Sequence, residues 1–228
     1  MCHAAGRFAN NGDAQHTVLL ARTSTLSGTF TVSIASPAVF TKSNHNLKAG
    51  DTITLSTTGS LPTGLNTTTT YHVISSGISA NAFRVSTSAG GSAVNTSGTQ
   101  SGTHSLTVTS SRLTLNGAIG VTAQELLTLP AETTWTFEIK LSAYNDTDNV
   151  AAGWIYRGVI RRNAANSTTL VGSLIEESWK ETAMNSASAS VVADDTNEAL
   201  EIRVTGLTSK NIRWVAVVDI SQVSYGTP

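Results

Sequence analysis

Thr134-Trp135-Thr136-Phe137-Glu138-Ile139-Lys140-Leu141 is the stretch on which the fold turns. Large apolar side chains stand at every second place, and Thr, Glu and Lys fill the places between. A strand with one face buried and the other in water has this period of two, whereas a helix would repeat at 3.6. Burying the four apolar side chains contributes about 6–12 kcal/mol at roughly 1.5–3 each, an upper bound because unfolded chains already hide some surface. Asn145-Asp146-Thr147-Asp148-Asn149 follows as a turn, and Trp154-Ile155-Tyr156-Arg157-Gly158-Val159-Ile160 brings the chain back, so the pair reads as a hairpin. Leu200-Glu201-Ile202-Arg203-Val204 and Ile212-Arg213-Trp214-Val215-Ala216-Val217-Val218 are further strands, with a turn at Gly206 to Lys210. Short strands separated by turn signals at this spacing predict an all-β sandwich or barrel.

Composition agrees. Charged residues make up 13% of the 228, where an ordinary soluble domain has about 25%. Ser and Thr replace them, at roughly a quarter of the chain, and β-branched Thr suits a pleated surface. With 14 Lys+Arg against 15 Asp+Glu, the balance offers no footprint for nucleic acid or for an anionic membrane. No run approaches the ~20 apolar residues that span a bilayer as a helix, and Met1 to Arg7 lack the apolar core of a signal peptide. Cys2 is the single cysteine, which excludes an internal disulfide and a thiolate metal cage and reads as dispensable.

Between Ser27 and Thr109 the composition shifts, with Lys42, Lys48, Asp51 and Arg84 as the only charges. Apolar alternation persists there, in Asp51-Thr52-Ile53-Thr54-Leu55, Tyr71-His72-Val73-Ile74 and Phe83-Arg84-Val85, with a turn at Leu61-Pro62-Thr63-Gly64-Leu65. The expectation is a small β-module over 27–109, inserted into a β body made of both chain ends. Residues 1–26 form an N-terminal arm and first strand, and residues 110–228 form the remainder of the sandwich. Within the module, Gly90 to Gly102 reads as a flexible loop. Met1 to Gln15, with Phe8 as the sole large apolar residue, reads as an ordered arm rather than a frayed end.

Two resemblances bear on origin. His45-Asn46-Leu47-Lys48-Ala49-Gly50-Asp51-Thr52, with Leu61-Pro62-Thr63-Gly64-Leu65, Tyr71-His72-Val73-Ile74 and Phe83-Arg84-Val85-Ser86, resembles a β-module common in phage tail and virion proteins. The flanks resemble a second domain of phage fibre-like and particle-surface proteins. Its pieces include Gly6-Arg7-Phe8, Gly12-Asp13-Ala14-Gln15, Leu129-Pro130, Ala193-Asp194-Asp195-Thr196-Asn197 and Ile212-Arg213-Trp214-Val215-Ala216. In that group the first piece runs on into the rest, which implies an insertion between about Leu26 and Ser110. The resemblance implies a tailed-phage structural protein. The leading expectation is a capsid decoration or cement protein on the outer capsid surface, made in the host cytoplasm, with the major capsid protein and itself, as a homotrimer, as partners. A body motif that begins at Gly6 leaves little room for a fibre shaft. The alternative is a tail-fibre tip or receptor-binding protein that touches host surface glycans.

No H-E-x-x-H, G-x-x-x-x-G-K or G-x-S-x-G stands in the chain, and His3, His16, His45, His72 and His104 have no metal-ligand spacing. Asp146 and Asp148 alternate as Ca²⁺ ligands do, without the Gly and distal Glu of an EF-hand loop, and a hairpin turn uses the same residues. Asp194-Asp195-Thr196-Asn197 reads likewise as a turn. Glu176, Glu177 and Glu181 are the carboxylates a glycosidase could use, but their spacing suits a solvated face beside Trp179. Trp135, Trp154 and Trp214 alternate with polar residues as core side chains do, which leaves Trp179 as the exposed indole. The expectation is a non-enzyme with no catalytic, cofactor or metal residues.

Overall fold

The structure is a computed structural model and describes residues 2–7, 11–115, 117 and 123–225. In chain order the strands are β1 (Cys2–Arg7), β2 (Asn11–Thr25), β3 (Ser27–Val32), β4 (Phe40–Thr41), β5 (Thr52–Thr57), β6 (Tyr71–Ile74), β7 (Ala82–Ser86), β8 (His104–Arg112), β9 (Thr114–Leu115), β10 (Leu127–Thr128), β11 (Thr133–Asn145), β12 (Val150–Arg162), β13 (Thr168–Lys180), β14 (Ser188–Asp194), β15 (Ala199–Thr205) and β16 (Ile212–Ser224). Among the described residues the only helical turns are the short 3-10 segments Ala123–Glu125 and Thr182–Met184. The fold is all-β, as the alternation predicts.

The large sheet runs β1-β2-β16-β11-β12-β13, with β9 beside β2. Opposite ends of the chain meet at its centre: β2 and β16 pair from Thr25↔Ile212 to Ala14↔Val223. The quoted stretch lies in β11, where the odd residues from Thr133 to Asn145 are buried and the even ones are not. The turn at 146–149 returns the chain into β12 as a hairpin in unbroken register. A smaller layer, β10-β15-β14, covers the buried face of the large sheet. Between the layers the Trp154 and Trp214 rings pack 5.5 Å apart. Gly206 to Lys210 carries the chain from the small layer (β15) to the large sheet (β16). At the far edge β1 folds back on β2, with Cys2 opposite Thr17 and Arg7 opposite Asn11; Phe8 lies outside the described residues.

The edge strand β13 breaks the regular register. Ile175 faces Arg157 and Val171 faces Val159, so Gly172, Ser173 and Leu174 share the room opposite Gly158. A Cβ on Gly158 would sit 2.4 Å from Leu174 Cδ2 and 3.0 Å from Phe137 Cζ. The missing side chain lets Leu174 swing over β12 to the core, which is what the bulge accomplishes. Gly158→Ala should therefore destabilise the body by about 1–3 kcal/mol through overpacking, measured by urea unfolding.

The second unit is a closed barrel. β8, β3, β4, β7, β6 and β5 pair in that order and β5 pairs again with β8. Its interior is a cluster separate from that of the sandwich. Phe40 stacks on Phe30 and Phe83 at 5.3 and 5.2 Å. The stretch Gly90 to Gly102, expected to be flexible, is instead held by backbone hydrogen bonds. Val94 donates to Val85 and its carbonyl accepts from Ala38, Thr96 donates to Ala35, Ser97 exchanges bonds with Thr63, and Ser101 does so with Ser60. Val94 also packs on the barrel core. Composition counted these small polar residues as solvated, but their main-chain groups pair with neighbouring loops across long sequence distances. The chain enters the barrel through Leu26, the one residue between β2 and β3. It returns along β8, whose last residues Ser111 and Arg112 pair with Val204 and Arg203 of β15.

Candidate functional site

One face of the large sheet covers the core, and among the described residues the other has no layer over it. The even residues of β11 and β2, and the odd residues of β12 and β16, stand on this open face. Two apolar borders run along it. On the β2–β16 side Val18, Leu20, Val215 and Val217 are 39–48% exposed, with Leu20 directly opposite Val217. On the β13 side Val171, Ile175 and Trp179 are 47–57% exposed. Trp179 stands opposite Gly153, where a Cβ would meet only a backbone oxygen at 3.6 Å.

The central strand between the borders is polar apart from Tyr144 at its end. Lys140 binds Glu138 at 2.9 Å, Glu138 binds Arg157 at 2.7 Å, and Arg157 reaches Glu177 at 3.2 Å. Bonds from Lys140 and Arg157 hold the Glu138 carboxyl below its ordinary value. On β2 and β16 His16 meets Asp219 at 2.7 Å. These exposed pairs contribute little stability, because water and salt screen them. Their consequence is that carboxylates on this face are already partnered within the chain.

A second constellation sits where the barrel meets the body. Lys48 and Asp51, in the loop before β5, are 2% and 0% exposed. The Lys48 ammonium donates to Thr23 Oγ1 of β2 at 2.6 Å, and Thr23 Oγ1 is 2.8 Å from Ser111 Oγ of β8. Asp51 accepts from the backbone N–H of Lys48 at 2.8 Å and of Arg112 at 3.3 Å. Burial pushes the Asp51 carboxyl up to about 6 and pulls the Lys48 ammonium down. Alternation could not mark these residues as buried. The one available signal was their status as lone charges in an otherwise uncharged stretch. They form an internal joint, and Lys48 also lines a cleft of about 320 Å³ together with Arg22, Asn46 and Arg213. Beside them an open groove of about 1090 Å³ carries Arg112, Glu201 and Arg203, and Glu201 there meets Arg203 at 2.9 Å.

The residues singled out in the sequence are scattered by the fold. Asn145 closes the hairpin turn by accepting from Thr147 N–H at 3.0 Å and donating to Asp148 at 2.9 Å. Asp148 also binds Lys210 at 2.5 Å, which holds its carboxyl low. Asp194 accepts from the N–H groups of Thr196 and Asn197, both at 3.1 Å, as a turn residue. Among the described residues no three His, Cys, Asp or Glu side chains gather as metal ligands would. Glu176 lies beside the Tyr156 hydroxyl, Glu177 joins Arg157 on the open face, and Glu181 accepts from Ala151 N–H at 2.8 Å; the three do not converge. His45 is buried beneath its loop. It accepts from Leu47 N–H at 3.0 Å, approaches the Ala82 carbonyl at 3.3 Å and sets its edge against Phe83. Burial lowers its pKa, which keeps it neutral as a packing residue. Trp135, Trp154 and Trp214 are in the core and Trp179 is exposed. Comparison of the chain with known protein-family models and with curated protein sequences finds no match.

Proposed function

We propose that this chain is a structural protein of a tailed-phage particle, seated as a homotrimer on the outer capsid surface. There it binds the major capsid protein, stiffens the shell and catalyses nothing. The observation that carries a structural role is the open face of the large sheet, with eight large apolar side chains, Val223 of β16 among them, exposed along its two borders. Exposed apolar area on this scale marks a surface that works by being covered. The phage assignment is supported by the resemblances of the 45–86 segment and of the flanking body. The absence of catalysis is supported by the carboxylates Glu176, Glu177 and Glu181, each of which is engaged at a different place.

Quantitative mass spectrometry of purified virions tests this reading. A cement protein should approach the major capsid protein in copy number, and particles that lack it should break at lower temperature while still adsorbing to cells. A second reading, a fibre tip that binds host glycans, draws support from the exposed indole of Trp179. It expects the reverse: a few copies per particle, intact shells and lost adsorption.

A further inference from the structure

We propose that the open face of the large sheet is where copies of this chain meet head to tail, the β2–β16 border of one copy packing on the β13 border of the next until the ring closes. The inference rests on the self-association proposed above and names its surface; it does not rest on the particle. Three observations carry it.

The first is the distribution of apolar side chains. They concentrate along both borders of one face, while β11 between them presents Thr134, Thr136, Glu138, Lys140 and Ser142, with Tyr144 the one exposed ring at its end. A flat two-fold stack of two such faces would press Glu138 and Lys140 of each copy against the other and strip water from the Lys140–Glu138–Arg157 pairs. Stripping water from ions is unfavourable unless new partners replace it. A ring joins borders only and leaves each polar centre facing a wet interior. The second is charge. Glu138, Glu177 and Asp219 are already paired with Arg157, Lys140 or His16 of their own chain. Its remaining charges, Arg22 and Arg213 towards one end of the strands and Arg161 at the other, are exposed and lie away from the middle of the face, so a copy of the chain itself, with 14 basic against 15 acidic residues, suits it as a partner. The third is area. Five strands about 4.8 Å apart and about 12 residues long at ~3.4 Å each give a face of roughly 1000 Å². Half of it on each partner removes about 1000 Å² in total at one contact, the lower bound for a specific interface. A closed ring uses both halves of every chain, and closure is what stops a head-to-tail contact from growing into a filament.

The test uses Val217→Glu on one border and Ile175→Glu on the other, both at exposed positions, with mass read by sedimentation and folding by circular dichroism. Each variant alone should be monomeric. Mixed together they should form a pair with one copy of each, because Val217→Glu still offers an intact β13 border and Ile175→Glu an intact β2–β16 border. If either variant assembles like the unmodified chain, the proposal fails: a two-fold contact through one border spares the other, and a contact elsewhere spares both; an unmodified chain that stops at a dimer also overturns the ring. A monomeric unmodified chain overturns the self-association as well, whereas an assembled chain indifferent to both variants overturns this assignment alone. Should either glutamate prevent folding, Val217→Cys and Ile175→Cys combined in a Cys2→Ser chain decide the matter. A short bismaleimide should then link chains to one another, and failure to link them overturns the contact.

Discussion

Replacing Asp51 with alanine should destabilise the protein by about 3–5 kcal/mol at pH 7, whereas replacing Lys48 with methionine and Asp51 with asparagine together should cost far less. The single change leaves the Lys48 ammonium buried without its opposite charge. It also leaves the N–H groups of Lys48 and Arg112 without the carboxylate that accepts from them. The double change removes the charge along with its partner and keeps an acceptor. Urea unfolding of Lys48→Met, Asp51→Asn and the double gives the coupling directly, and additive effects would mean the two groups act independently. The same site sets a pH dependence. Asp51 titrates near 6 in the fold, against 3.8 for the free side chain. Between these values the folded protein holds a proton that the unfolded chain has released. This group therefore favours the fold most below about pH 4, and its contribution declines as pH rises through 6, by about 3 kcal/mol at ~1.4 per pKa unit. Asp51→Asn, whose amide does not titrate, is the reference. The stability of the unmodified chain relative to it should fall from pH 4 to pH 7, and a flat difference would show that the carboxyl is not desolvated.

Trp214→Ala should cost a further class of energy, about 3–5 kcal/mol from lost burial and the cavity left behind. The indole is fully buried, packs on Trp154 at 5.5 Å and donates to Thr25 Oγ1 at 3.1 Å. At about 2–4 °C per kcal/mol for a chain of this size, the melting temperature should drop by roughly 10 °C. Trp214→Phe, which keeps a ring but loses the N–H donor, should fall between the two. Because the barrel interior is a separate cluster, heating scans should place the loss in the sandwich, and Phe40→Ala should place its loss in the barrel.

The strands of the body were legible because alternation is a local signal. Trp135 to Leu141 point where the period of two sends them, and the Asn145 turn closes the hairpin where its residue types suggest. Three things were not legible. The Gly90–Gly102 segment looked free because its pairing partners, Ala35, Ala38, Ser60 and Thr63, are distant in sequence and equally bland. The burial of Lys48 and Asp51 was not legible because a buried ionic joint leaves no periodic trace. The open face was half visible. Alternation fixes which residues of β16 stand opposite its core side, but that Val215 and Val217 share a border with Val18 and Leu20 depends on a pairing between residues some 200 positions apart. Trp179 was read as exposed because its neighbours are charged, and the edge position of β13 explains why.

The crossing between sandwich and barrel also has a mechanical meaning. The outgoing path is β2 running into β3 across Leu26 alone, and the returning path is β8, which leaves the barrel wall and ends hydrogen-bonded to β15. Neither path contains a slack tether. A pull on the barrel tip would thus travel down two rails into the sandwich, loading strand pairs along their length, where many hydrogen bonds must slip together. Such a projection bears force as a bracket does and not as a pendant on a string.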